Sequence, residues 1–166
     1  MKDNISAKEA MQKLIEGNKR YSDALCNPGD VSLAIREYTC ENGQNPYAIV
    51  LACSDSREIP EAIISAGIGE LFVIRVAGNV VDDHQLGSIE YAADHLGCRL
   101  VVVLGHNHCG AVDAAMNHDP DGHIKFITDE ISLAIGEERD EFKACCLNVE
   151  RSVKIISENV DMMHME

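Results

Sequence analysis

Two short stretches of this sequence hold residue types that do chemistry together. The first is Cys53-Ser54-Asp55-Ser56-Arg57, and the second is Gly105-His106-Asn107-His108-Cys109-Gly110. Two cysteines and one histidine make a good zinc set, because soft thiolate and borderline imidazole suit that ion. Three protein ligands leave one tetrahedral position open, the arrangement of a catalytic site rather than a structural one. The open position would hold water, whose pKa zinc lowers to ~7 in favourable sites, so zinc-bound hydroxide becomes the expected nucleophile. Two thiolates donate more charge than neutral imidazoles, which puts the expected active form on the alkaline side of neutrality. Asp55 and Arg57, two residues apart on one turn, can pair beside the metal. In that pairing Asp55 accepts a hydrogen bond from the bound water while Arg57 keeps the carboxylate from swinging onto the zinc.

Each feature has a plainer reading when taken singly. A cysteine ending a buried strand is often a small core residue. His-x-x-Cys is a short motif with many chance occurrences. Asp-x-Arg is commonly a surface pair worth little. What carries the argument is that both clusters fall where a strand gives way to a helix. His108 is expected to face solvent or to support the ligands from behind. His84, His95, His118, His123 and His164 lack neighbouring cysteine or carboxylate patterns and are read as surface or structural residues.

The elements that must position these residues follow from apolar spacing. Ser6-Ala7-Lys8-Glu9 is a capping box ahead of Ala10, Met11, Leu14 and Ile15, predicting a helix over about 6–21. Cys26 to Gln44 holds Pro28, Gly29 and Gly43, and reads as loop with room for a short helix. Tyr47–Cys53, Leu71–Val76 and Arg99–Gly105 are short apolar runs of the kind that form strands buried on both faces. Between them, Ser54 to Ser56 supply cap-type residues, and Pro60-Glu61 suits a first helical turn. Leu86, Ile89, Ala93 and Leu96 share one helical face, stopped by Gly97. A helix over about 109–116, a polar turn at Asn117–Gly122 and two amphipathic helices over about 123–135 and 137–159 complete the pattern.

Strand alternating with helix predicts an α/β fold, a single domain with a mainly parallel sheet flanked by helices. It divides into an N-terminal helical arm (about 6–21), an α/β core (about 47–116) and C-terminal helices (about 123–159), within one domain over 1–166. In such sheets ligands bind at the carboxyl ends of strands where the connectivity diverges. Cys53, His106 and Cys109 converge there if the first and third strands are neighbours.

Composition limits the function. The 166 residues carry 14 Lys and Arg against 28 Asp and Glu, a net charge of −14. That balance argues against nucleic acid or an anionic membrane as partner, since basic patches supply such affinity. No apolar run approaches the ~18–20 residues of a membrane span, and Met1–Ser6 shows no apolar leader, so the expected compartment is the cytoplasm. Seven cysteines in such a chain are more often ligands, nucleophiles or core residues than disulfides. Adjacent Cys145-Cys146 also raises the reading of a thiol redox protein.

The two motifs resemble the signature motifs of the β-class carbonic anhydrases, as Ala52-Cys53-Ser54-Asp55-Ser56-Arg57 and Gly105-His106-x-x-Cys109-Gly110-Ala111. Glu70-Leu-Phe-Val-Ile-Arg75-Val-Ala-Gly78-Asn79 and Ser88-Ile-Glu-Tyr-Ala92 are similar to that family's connecting segments. Gly17-Asn18-x-Arg20-Tyr21 and Cys146-Leu147-Asn148-Val149 are similar to flanking ones, so the likeness spans about 6–157. The resemblance implies reversible hydration of carbon dioxide to bicarbonate and a proton, with one Zn2+ per chain on Cys53, His106 and Cys109. It implies Asp55 and Arg57 as the catalytic dyad, and Asp55 as a conditional fourth metal ligand in a closed form. Homodimers or multiples of dimers are implied as well. The chain departs from the family at Val76, where many members carry Asn. It also lacks a segment resembling the family's late strand, so the fold is expected without the usual C-terminal edge strand. Hydrolysis of carbon disulfide or carbonyl sulfide by the same nucleophile, and a zinc-binding inactive subunit, are the alternative readings.

Overall fold

The computed structural model describes residues 4–24 and 29–160. Cys26, Pro28 and His164 lie outside the described residues. The sheet is built on β1 (Ala48–Ala52), every residue of which is buried. Its neighbours are β2 (Leu71–Arg75) and β3 (Val101–Leu104), both parallel to it, in the order β2-β1-β3. Registers run Ala52↔Arg75 on one side and Ala52↔Leu104 on the other, so the carboxyl ends of all three strands lie level. β1 and β3 are indeed neighbours. β3 pairs with β1 alone, and among the described residues no strand follows it, leaving one edge of β3 unpaired.

Successive residues of a strand point to opposite faces, and β1 divides accordingly. Ile49 and Leu51 pack with Ile89, Ala92 and Leu96 of helix α4 (Asp83–Leu96) and with Ile156 of α7 (Glu141–Asn159). Ala48, Val50 and Ala52 face Ala10 and Leu14 of α1 (Ala7–Ala24). Burying Ile49 or Leu51 stabilises the fold by about 1.5–3 kcal/mol each. The third apolar cluster sits above the strand ends. It joins Cys53 and Cys109 to Val112 of α5 (Gly110–Asn117), Ile131 and Ile135 of α6 (Ile124–Ile135), and Ala144 and Cys145 of α7.

The helix signals are used as their chemistry suggests, with shifted limits. Ser6 and Glu9 exchange capping hydrogen bonds at the start of α1. Asp82 and Gln85 form a second capping box for α4, which ends on Gly97 at φ 71°. One reading is made definite and two change. The 26–44 stretch, with room for a short helix, holds a ten-residue one, α2 (Leu33–Asn42), capped by Ser32. None of its residues is buried, so no apolar stripe marked it. The Ser54–Ser56 segment caps no helix. The short α3 (Pro60–Ile63) begins at Pro60 behind Ile59, with no side-chain cap. The last helix starts at Glu141 rather than 137, where Asp140 accepts the Lys143 N–H.

At the opposite end of the sheet from the strand tips, Cys98 is fully buried and donates to the Pro46 carbonyl at 3.1 Å. Burial pushes its thiol up to about 11. A folded-state pKa above the unfolded value of ~9 means the stabilisation is complete below pH 9 and is lost as pH rises to 11. The expected loss from this residue at pH 11 is about 2 kcal/mol. Urea unfolding of the wild type and Cys98→Ala at pH 8 and pH 11 checks it: the substitution should lessen the alkaline loss by that amount, the rest coming from other buried groups such as Tyr47, whose hydroxyl is pushed up to about 12. An equal alkaline loss in both proteins would assign the effect elsewhere.

Candidate metal centre

The structure brings together the three residues named from spacing. One ligand atom each from Cys53, His106 and Cys109 lies within 4.8 Å of the others, with both cysteines buried. Cys53 directly follows β1, His106 follows β3, and Cys109 precedes α5. Level strand ends on adjacent parallel strands are what bring residues 53 apart in sequence into one cluster.

Cys53 is held on all sides. Its sulfur accepts N–H groups from Gly78 at 3.3 Å and Asp55 at 3.4 Å. Its own N–H donates to Glu58 Oε2 at 2.9 Å, and its carbonyl accepts from Arg75 Nε at 3.0 Å. Arg75 Nη2 reaches on to the carbonyls of Asp55 at 2.6 Å and Glu58 at 2.8 Å. One guanidinium thus fixes the whole 53–58 turn. Gly78 can aim its N–H at the sulfur because it adopts φ 70°, a conformation that favours glycine. A Cβ there would also sit 2.8 Å from Ile131 Cδ1.

The two thiols share one proton. Contact with the Cys109 thiol, helped by His106 and the two backbone N–H groups, draws the Cys53 pKa down to about 4. The same contact, with burial, pushes Cys109 up. A divalent cation displaces that proton, because both sulfurs bind it as thiolates. His106 Nδ1 meets the Asn107 carbonyl at 3.0 Å and donates to it, leaving Nε2 as the free lone pair. Nε2 is buried and has no hydrogen-bond partner. Burial works against a charge on this ring, and the Cys53 and Asn107 contacts outweigh it and raise its pKa. An orphaned imidazole nitrogen facing two buried sulfurs fits zinc.

Asp55 and Arg57 pair as expected. Asp55 Oδ1 accepts from the Arg57 N–H and Nε, both at 2.9 Å, and Oδ2 accepts from Nη2 at 2.7 Å. The guanidinium holds the Asp55 carboxyl well below the usual carboxylate range. Arg57 Nη2 also donates to the His108 carbonyl at 2.9 Å, tying the first strand end to the third. Asp55 Oδ2 lies 4.0 Å from His106 Nε2, yet the carboxylate stays outside the three-residue cluster. His108 is exposed at φ 56° and faces Glu141 at 3.1 Å. His84, His95, His118 and His123 are exposed, as read from sequence. Cys145 is buried and Cys146 exposed; among the described cysteines none forms a disulfide.

Sequence reasoning gave no role to Glu58, Arg75 or Asn148. Glu58 is 3% exposed, and its Oε1 has no partner. Burial raises its pKa. Arg75 had a signal, a lone arginine closing an apolar strand. Asn148 had only its place in the family-like Cys146–Val149 segment: its amide reaches the Gly78 carbonyl at 2.7 Å across 70 residues of sequence. With Arg57, Glu58, Ile63, Leu104, Gly105, His106 and Asn107 as walls, a cleft of about 200 Å³ opens beside the cluster.

This arrangement agrees with the comparisons to known proteins. The family model described as carbonic anhydrase matches residues 48–165, and the chain belongs to the β-carbonic anhydrase family. It is 37% identical over 137 residues to carbonic anhydrase 2 of Mycobacterium tuberculosis, covering 80% of this chain and 66% of that protein. The carbonic anhydrase of Mycolicibacterium smegmatis is 36% identical over 158 residues, 87% of this chain and 76% of the relative. The chain therefore spans about two thirds to three quarters of the length of these relatives. In fold it is similar to a tetrameric β-carbonic anhydrase of Sordaria macrospora, with TM-score 0.71, 23% identity, and 95% and 82% of the two chains covered. A Coccomyxa β-carbonic anhydrase solved with acetazolamide gives 0.68 at 24% identity, covering 93% and 74%.

Proposed function

We propose that the chain hydrates carbon dioxide reversibly to bicarbonate and a proton, with one zinc ion held by Cys53, His106 and Cys109. The observation that carries this reading is the buried, unpartnered Nε2 of His106 facing two buried sulfurs at the level strand ends. Zinc bound there would act as a Lewis acid and make hydroxide available near neutral pH. The chain's own residues supply the rest. Asp55, fixed as an anion by Arg57, accepts a hydrogen bond from the attacking water and orients it. Arg57 keeps the carboxylate in that place and bridges the two loops that carry the ligands. The small cleft suits a small linear substrate that needs few binding contacts. Asp55 is also a candidate fourth ligand, should its pairing with Arg57 open. We read the active form as a dimer or a multiple of dimers, a reading supported by the tetrameric Sordaria relative of the same fold.

The test is stopped-flow carbon dioxide hydration by the zinc-quantified chain from neutral to alkaline pH. Zinc-dependent turnover that rises with pH is expected. A zinc-replete chain with no turnover across that range would replace this reading with a non-catalytic subunit. Hydrolysis of carbonyl sulfide or carbon disulfide that outpaces hydration would reassign the substrate.

A further inference from the structure

The left-handed turn at Gly78 and Asn79 is held by a helix that contributes no metal ligand. Asn79 adopts φ 44° without being glycine and is 2% exposed. Asn enters this region more readily than most other side chains, at a cost that the surroundings here offset. What offsets it is the inner face of α7. Asn148 Nδ2 donates to the Gly78 carbonyl at 2.7 Å. Ser152 Oγ donates to the Asn79 carbonyl at 2.8 Å and lies 3.1 Å from the Asn148 carbonyl. Asn148 and Ser152 are each 2% exposed, so these bonds are shielded from water. The turn in turn delivers the Gly78 N–H to Cys53 Sγ at 3.3 Å.

From this chain of contacts we propose that Asn148 is a positioning residue for the metal centre, acting through the 78–79 turn on the donor strength of Cys53. The inference rests on the zinc reading given above. An N–H group directed at a thiolate withdraws electron density from the sulfur and fixes its lone pairs. A turn released from α7 is no longer fixed in place, and its N–H is no longer held on the sulfur. Cys53 then becomes a stronger but less well-placed donor. Partners of this kind behind metal ligands change metal affinity by about 10–100-fold when removed. Ser152 acts on the same turn one residue further on and is expected to have the smaller effect, because the Asn148–Gly78 bond remains.

The test uses the full chain loaded with cobalt(II) in place of zinc, which makes the sulfur-to-metal charge-transfer band visible. Wild type, Asn148→Ala, Ser152→Ala and the remote core variant Ile89→Val are compared. In Asn148→Ala the band is expected to move to lower energy, with zinc affinity, measured against a competing chelator, falling about tenfold. Ser152→Ala should move the band in the same direction by less. Ile89→Val, whose side chain packs in the cluster between the sheet and α4, should lower thermal stability without moving the band. An unmoved band and unchanged affinity in Asn148→Ala would overturn the proposal. Should Asn148→Ala fail to fold, an unmoved band in Ser152→Ala overturns it equally. A wild-type chain that shows no charge-transfer band with cobalt would instead remove the metal reading itself, and this inference with it.

Discussion

Replacing Cys109 with alanine is expected to lower zinc affinity by about 10³-fold and to bring hydration down to the uncatalysed background. The magnitude follows from the ligand count. Structural zinc sites contribute an apparent ~10–16 kcal/mol. One of three protein ligands carries a share of several kcal/mol, and each 1.4 kcal/mol is a factor of about ten. Cys109 is a cleaner target than Cys53. Cys53 also accepts the Gly78 and Asp55 N–H groups, so removing it unsettles the turn as well as the site. Cys109 precedes α5, and its sulfur meets only the Ala111 and Val112 N–H groups of that helix's first turn, which water can serve in its place. Its loss should therefore leave the fold intact, apart from a small cavity next to Val112 and Ile131. Zinc per chain after dialysis, read beside the circular dichroism spectrum, separates metal loss from unfolding. Wild-type protein stripped by a chelator should show the same inactivity and regain its turnover when zinc returns, whereas the Cys109→Ala protein should not. A variant that keeps zinc at wild-type affinity would show that Cys109 is not a ligand.

How much of this could be read before the structure depends on the range over which each residue acts. β1 was legible because it is buried on both faces and so must be apolar throughout. β2 and β3 were found by the same apolar runs, yet they flank β1 at the sheet's edges and are only partly buried, not buried on both faces as their sequences suggested. The clustering of Cys53, His106 and Cys109 was legible because the two motifs fall at strand ends, and parallel neighbours align those ends. The pairing of Asp55 with Arg57 was legible because it spans two residues. The limits of α2 were not, since a helix that buries nothing leaves no stripe to place it within the 26–44 stretch. Ser54–Ser56 look like helix caps by type alone, yet Arg75 takes up the carbonyls of that turn and delays the helix to Pro60. Glu58 and Asn148 could not be found by local pattern. One is a carboxylate buried against the Cys53 N–H, and the other is an amide whose partner lies 70 residues away. Each acts through a tertiary contact that exists only once the sheet and α7 are in place.

Arg57→Ala is expected to slow hydration by about 10–100-fold while zinc stays at one per chain. The side chain is 61% exposed, so its ion pair with Asp55 contributes little to folding. Its effect lies in where it puts the carboxylate. Alanine keeps the backbone N–H to Oδ1 but removes the Nε and Nη2 bonds and the bridge to the His108 carbonyl. Protonation is not the cause of the expected loss. Without the guanidinium, the Asp55 carboxyl rises only toward the ordinary carboxylate range of ~4, far below the pH of the assay. What changes is freedom: Oδ2, already 4.0 Å from His106 Nε2, can move onto the position that water would take. Arg57→Lys restores the charge without the planar fork and should recover only part of the rate. Asp55→Ala should also slow hydration with zinc retained. The double variant should be no slower than the slower single variant, because residues that act as one unit are not additive. A double variant slowed by the product of the two single effects would show that Asp55 and Arg57 act independently. A wild-type rate in Arg57→Ala would remove the arginine from the mechanism.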